Sequence, residues 1–177
     1  MPSPQKAKGS SWERDVAAYL SNLYGESFIR APGSGAYIGG QNTHRKQYLD
    51  EGKIRTFKGD IVPGENFPLL NIECKSYKDF PFNLVYTGEC KQLDAWLDQL
   101  LAPADQKDIN ILAMKFNRKG KFIAFEHKHR LFNHGNNYTY YNNLNKAHGP
   151  WVIMEFDTFW QLNKEPIKIL SYQSKSQ

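Results

Sequence analysis

The sequence predicts an α/β domain with a mixed central sheet flanked by helices. Three observations carry that expectation. Apolar residues recur at helical spacing near the N-terminus, a clean period-2 alternation surrounds residue 72, and helix-like and strand-like segments continue to alternate toward the C-terminus. Val16, Leu20 and Leu23, with Trp12 and Tyr19 beside them, predict a helix over residues 11–24. Ser10 reads as its N-cap, Glu13 as the capping-box partner and Gly25 as its stop. Residues 1–9 read as a basic tail, and 27–30 as a short strand. A glycine-rich turn follows, Ala31-Pro-Gly-Ser-Gly-Ala36, and then a polar, weakly periodic insertion over 37–58. Asp60-Ile61-Val62 opens a strand and Pro63-Gly64-Glu65-Asn66 makes a turn. Residues 69–76 form the best strand, with Leu70, Ile72 and Cys74 alternating with Asn71, Glu73 and Lys75.

Leu93, Trp96, Leu97 and Leu100 predict a second helix over 88–101, with Pro103 beyond its end. Residues 109–116 and 121–126 read as a strand pair joined by Asn117-Arg-Lys-Gly120. The Asn-, Tyr- and His-rich stretch 127–150 reads as a second insertion. Residues 151–156 are a last strand, and Asp157 caps a short helix over 158–163.

Composition narrows the class. The chain has 177 residues, 40% of them apolar and 14% aromatic, enough for one domain with a real core. Its 23 basic against 18 acidic residues leave a charge of +5, compatible with a polyanionic partner. Two cysteines, Cys74 and Cys90, make neither a disulfide scaffold nor a Cys-x-x-Cys pair, and a reducing cytoplasm is the expected compartment. No apolar run approaches the roughly 20 residues that span a bilayer, so no membrane partner is expected. His127, His129, His134 and His148 fit no zinc spacing.

The chemistry centres on Asp60, Glu73 and Lys75. Phosphodiester hydrolysis needs a hard cation on the phosphate, an aimed water and neutralisation of developing charge. Two carboxylates and a main-chain carbonyl suit magnesium, and a lysine can orient the water. Side chains alternate along a strand, so Glu73 and Lys75 share a face while Cys74 points inward and offers its carbonyl. A turn at residues 63–66 would bring Asp60 beside Glu73. Glu-x-Lys occurs four times, at Glu51, Glu73, Glu89 and Glu126, and only Glu73–Lys75 lies in a buried-type strand preceded by an acid. The plain alternative is a half-exposed strand whose Glu73, Lys75 and Lys78 serve solubility.

Lys8-Gly-Ser-Ser-Trp-Glu-Arg-Asp15, Arg30-Ala-Pro-Gly-Ser-Gly-Ala36, Gly59-Asp-Ile61 and Ile72-Glu-Cys-Lys75 together resemble the archaeal Holliday junction resolvases and their phage relatives, of the PD-(D/E)xK nuclease superfamily. The order and spacing match over about residues 8–76. The resemblance implies a restriction-endonuclease-like fold, a homodimer, branched DNA as partner and Mg2+ as cofactor, with Mn2+ as substitute. It implies Asp60 and Glu73 as metal ligands with the Cys74 carbonyl, Glu13 as a helix carboxylate near the metal, and Lys75 as the residue that positions water. Ser34 would touch the scissile region, Arg30 a phosphate, and Gln92 would support the site from the second helix. Gly59 departs from the family's proline before the first acid, a position that carries no chemistry. The two insertions also depart, and they leave substrate preference and dimer geometry open.

Two basic groups could track a DNA backbone. One is Lys115, Arg118, Lys119, Lys121, Lys128 and Arg130; the other is Arg45, Lys46, Lys53, Arg55 and Lys58 in the first insertion. Tyr138, Tyr140 and Tyr141 could stack on exposed bases. Solvated loops explain both groups equally well.

Overall fold

The computed structural model describes residues 4–32, 58–129, 132–143 and 149–173. Along them run α1 (Pro4–Tyr24), β1 (Ile29–Arg30), β2 (Ile61–Val62), β3 (Leu70–Tyr77), α2 (Phe82–Thr87), α3 (Lys91–Leu101), β4 (Ile109–Phe116), β5 (Gly120–Glu126), β6 (Asn137–Tyr140), β7 (Trp151–Glu155) and α4 (Phe156–Gln173). One five-stranded sheet has the order β3-β4-β5-β7-β6, and β1 and β2 form a separate antiparallel pair. β3 and β4 are parallel and the other neighbours in the large sheet are antiparallel. The mixed central sheet is therefore present. Parallel strands need a crossover, and α2 and α3 supply it between β3 and β4.

Each face of the sheet buries its own core. Leu70, Ile72 and Cys74 of β3 pack with Ile111 and Ala113 of β4 against Trp12, Val16 and Leu20 of α1 and Phe159 and Trp160 of α4. Leu112, Met114 and Phe116 pack on the other face against Leu93, Trp96, Leu97 and Leu100 of α3. The odd positions of β3 point to that second face: Asn71 Nδ2 donates to the Leu100 carbonyl at 3.0 Å. The alternation read from the sequence is thus the division between two cores, with polar side chains placed under α3.

Several boundaries differ from the sequence reading. α1 starts at Pro4, within the expected tail, and proline suits the first turn of a helix, where its missing N–H costs nothing. Ser10 is therefore inside the helix, and Glu13 is not a capping-box residue. The helix expected over 88–101 is α3, which begins at Lys91, and a short helix that was not expected, α2, precedes it. Gly88 adopts φ 72° and closes α2, and a Cβ there would lie 2.4 Å from the Tyr141 carbonyl oxygen. α4 runs on to Gln173, and its first turn is capped by Glu155 rather than Asp157: the Glu155 carboxylate accepts N–H bonds from Asp157 and Thr158. These bonds hold the Glu155 carboxyl below its ordinary range against the opposing effect of burial. The polar stretch 127–150 contributes β6, the edge strand beside β7. Tyr140 in β6 is fully buried and donates to Asp94 at 2.7 Å, so it is not available to stack on a base.

Candidate active site

β3 is an edge strand of the large sheet. Ile109 N–H donates to the Leu69 carbonyl, so residues 69, 71, 73 and 75 turn their backbone groups toward β4. Residues 70, 72 and 74 turn theirs to the open edge, and that edge receives Asp60. Asp60 N–H donates to the Ile72 carbonyl at 2.8 Å, and Asp60 Oδ2 accepts from Cys74 N–H at 2.8 Å. A strand residue's N–H and C=O leave on the same side, so the Cys74 carbonyl also faces the edge that Asp60 occupies. Ala31 N–H donates to the Asp60 carbonyl from the far side. The turn after β2 is fixed by Glu26, whose carboxylate accepts from Asn66 N–H at 3.2 Å and Asn66 Nδ2 at 2.6 Å.

Close approach at this edge explains Gly59. A Cβ there would lie 2.6 Å from the Ile72 carbonyl oxygen and 2.9 Å from Asn71 Oδ1. Neither is a flexible chain end that can swing away.

Glu73 is 3% exposed and Asp60 6%. Lys75 Nζ donates to Glu73 Oε1 at 2.7 Å and to Gln99 Oε1 of α3 at 2.6 Å. Burial, then the Asp60 charge, push the Glu73 carboxyl up to about 7, and Lys75 opposes them. The Glu13 carboxylate adds a smaller push in the same direction, which places it within electrostatic reach. Glu13 itself accepts from Arg30 Nε, its side chain being largely buried and that of Arg30 exposed. Glu13 reaches this edge because its neighbour Trp12 is anchored over the sheet, donating from Nε1 to the Ala113 carbonyl at 3.0 Å.

The fold thus brings together Glu13, Arg30, Asp60, Glu73, Cys74 and Lys75. Ser34, Arg45 and Lys46 lie outside the described residues. The α3 amide that meets Lys75 is that of Gln99, seven residues beyond Gln92. Seven residues are nearly two helical turns, so both lie on one face of α3, separated by roughly 10 Å along its axis. Sequence spacing shows that shared face but not which turn of α3 crosses over Lys75. Of the basic residues, Lys119 pairs with Asp79, and Lys121 pairs with Asp157 at 2.8 Å and lies over the Phe156 ring. Lys115 pairs with Asp15 at 3.1 Å. Lys58 is a correction: it is buried, bonded to Asp108 at 2.7 Å and Asp105 at 2.9 Å, and is not a phosphate contact.

The donor set fits a hard divalent cation. Two carboxylates and a carbonyl are oxygen donors, and a cation would relieve the repulsion that raises Glu73. Among the described residues, no three His, Cys, Asp or Glu side chains form a ligand set by themselves.

A family described as "Phage putative PDDEXK endonuclease" matches residues 4–169. The chain belongs to this PD-(D/E)xK endonuclease family. No curated protein and no solved structure matches it. The fold is the restriction-endonuclease-like one, a mixed five-stranded sheet flanked by helices, with Asp60, Glu73 and Lys75 together at the β3 edge. Nucleases of this kind generally use divalent metals, and DNA is the substrate that the family implies. No helix among the described residues is long and apolar enough to cross a membrane. Cys74 and Cys90 are free, buried thiols.

Proposed function

We propose that the protein is a magnesium-dependent endonuclease that cuts branched DNA, of Holliday junction resolvase type, acting as a homodimer in the cytoplasm of a bacterial, archaeal or phage-infected cell. The observation that supports this reading best is the Asp60 carboxylate seated on Cys74 N–H, one residue from the buried Glu73–Lys75 pair. Asp60, Glu73 and the Cys74 carbonyl would hold Mg2+, or Mn2+ in its place, with the Glu13 carboxylate near the ion. The bound ion supplies Lewis acidity at the phosphate. Lys75, held by Glu73 and Gln99, aims the attacking water and offsets charge on the phosphate oxygens. The water oxygen bonds to phosphorus as the bond to the leaving sugar oxygen breaks; the attacking water gives a proton to solvent and the leaving oxygen takes one from solvent, ending as a hydroxyl. Ser34 and Arg30 contact the phosphates beside the cut. Arg45, Lys46, Arg118, Lys119 and Lys121 follow the backbone farther out. The turn holding Arg118 and Lys119 begins just past the C-terminal end of β3, two residues or about 7 Å along the strand from Lys75.

Cleavage of a four-way junction, a linear duplex, a flap and a single strand in magnesium tests this. The wild type should cut the junction fastest, and Asp60→Asn and Glu73→Gln should each lose at least about 100-fold in rate, as when a metal ligand is removed. If both variants cut like the wild type, the site is elsewhere. If duplex is cut as fast as junction, the branched-DNA reading fails.

A further inference from the structure

A second feature of the molecule lies away from the metal-binding edge. A cavity of about 340 Å³ opens under α2, among Phe80, Phe82, Tyr86, Met114, Phe122 and Tyr138. Its floor shares a row of the sheet with the candidate site, because Lys75 pairs with Met114, Met114 with Phe122 and Phe122 with Glu155. At roughly 4.8 Å per strand, the cavity lies about 5 to 14 Å from Lys75 across that row. Three features give its walls the chemistry of a planar heterocycle. The rings present both edges and faces: Phe82 meets Phe122 edge-on at 5.4 Å, and Tyr86 leans on Tyr138 at 4.6 Å. Tyr86 is 69% exposed, so its ring is open to a stacking partner. Asn136 and Asn137 are exposed and line the same cavity; the Asn137 amide nitrogen is bonded to the His134 and Gly135 carbonyls, which leaves its side-chain oxygen as an acceptor. The volume sits at the small end of ligand pockets, room for one base and part of its sugar. Charge at the rim is mixed: Glu155 lines the cavity, while the turn joining the strands that supply Met114 and Phe122 carries exposed Arg118 and Lys119, the latter paired with Asp79. Aromatic faces beside a cationic rail are how proteins hold unpaired nucleotides.

We propose that this cavity binds one unstacked nucleobase of the DNA substrate, with Tyr86 and Tyr138 as its stacking platform. The proposal rests on the reading above that the substrate is DNA with unpaired or branched positions. A base drawn into the cavity would fix the register of the strand relative to Lys75, and perfect duplex would have to unpair to do the same.

The test uses the full chain in calcium, with fluorescence polarisation on a labelled junction, a single strand and a duplex. Tyr86→Ala should bind junction and single strand about 10-fold more weakly and duplex nearly unchanged, and Tyr86→Phe, which keeps the ring, should stay within about 2-fold of wild type. Melting temperatures of both variants should match the wild type, since Tyr86 is exposed. A single abasic site scanned past the branch point should weaken wild-type binding at one position and leave Tyr86→Ala indifferent there. If Tyr86→Ala binds every DNA like the wild type, the cavity is no base pocket, whatever the cleavage assay shows. If the wild type binds no DNA, both readings fall. If no DNA is cut while Tyr86→Ala still loses single-strand binding, the base pocket stands and the endonuclease reading falls.

Discussion

At Glu73 two carboxylates and an ammonium compete within one buried edge. Burial and the Asp60 charge raise Glu73 from 4.5 to about 7, more than Lys75 lowers it. A carboxyl whose folded value exceeds its unfolded value keeps its proton longer in the native state. Its penalty is absent below pH 4.5 and grows as pH rises toward 7. The ion-free protein should therefore lose stability across that window. Glu73→Gln keeps the hydrogen-bonding shape without the charge, so it should melt higher than the wild type at pH 8, and the gain should vanish by pH 4.5. Thermal melts in magnesium-free buffer at the two pH values check this. An equal Tm difference at both would show that Glu73 ionises normally. The instability has a use under the proposed chemistry, because a divalent ion recovers what the repulsion costs and must displace a proton to do so at pH 6.

At the scale of the element, the strand edge depends on an approach too close for any side chain at Gly59. Gly59→Ala would force a Cβ to within 2.6 Å of the Ile72 carbonyl, and relief requires the Gly59–Asp60 backbone to move away from β3. The Asp60 carboxylate would then leave Cys74 N–H. Cleavage should fall at least about 10-fold, the usual cost of displacing a group in a site by an ångström or less, with the melting temperature lowered as well. Unchanged cleavage by Gly59→Ala would show that Asp60 tolerates the shift. The sequence alone makes Gly59 look like a harmless departure, since proline has no chemistry to lose. The contact with Ile72 is long-range and has no local signal. β3, by contrast, is legible because its alternation separates two cores, and Asp60 and Glu73 follow from it. β6 is hard to read because Asn136, Asn142 and Asn143 flank Asn137–Tyr140, which itself opens on an Asn, and together they mask an alternating Tyr138–Tyr140 pair. Glu13 was misplaced as a cap because Ser10 and Gly9 imitate a helix start, while the actual start is set by Pro4.

Across the whole molecule, the segment before Asp60 is tied down far from the edge itself. Lys58 sends its ammonium to Asp105 and Asp108 in the connection between α3 and β4, anchoring the return of the chain into the sheet. Asp108 is 2% exposed, and burial raises its carboxyl above the usual range even with Lys58 and the Asp105 N–H opposing. Lys58→Met would leave that carboxylate buried without its cation, a loss of about 3–5 kcal/mol. For a chain of this size the loss corresponds to a Tm roughly 6–20 °C lower near pH 7. The deficit depends on pH in a definite direction. With its folded value raised further, Asp108 keeps its proton in the native state to higher pH, so the variant's penalty is smallest near pH 4 and grows as pH rises. Lys58→Met combined with Asp108→Asn removes the stranded charge and should recover most of the neutral-pH loss. Melting curves of the single and double variants at pH 4 and pH 7 decide it. A Lys58→Met protein that melts within 1–2 °C of the wild type at pH 7, within the scatter of ordinary surface substitutions, would mean that the anchor contributes nothing and that the edge holds Asp60 unaided.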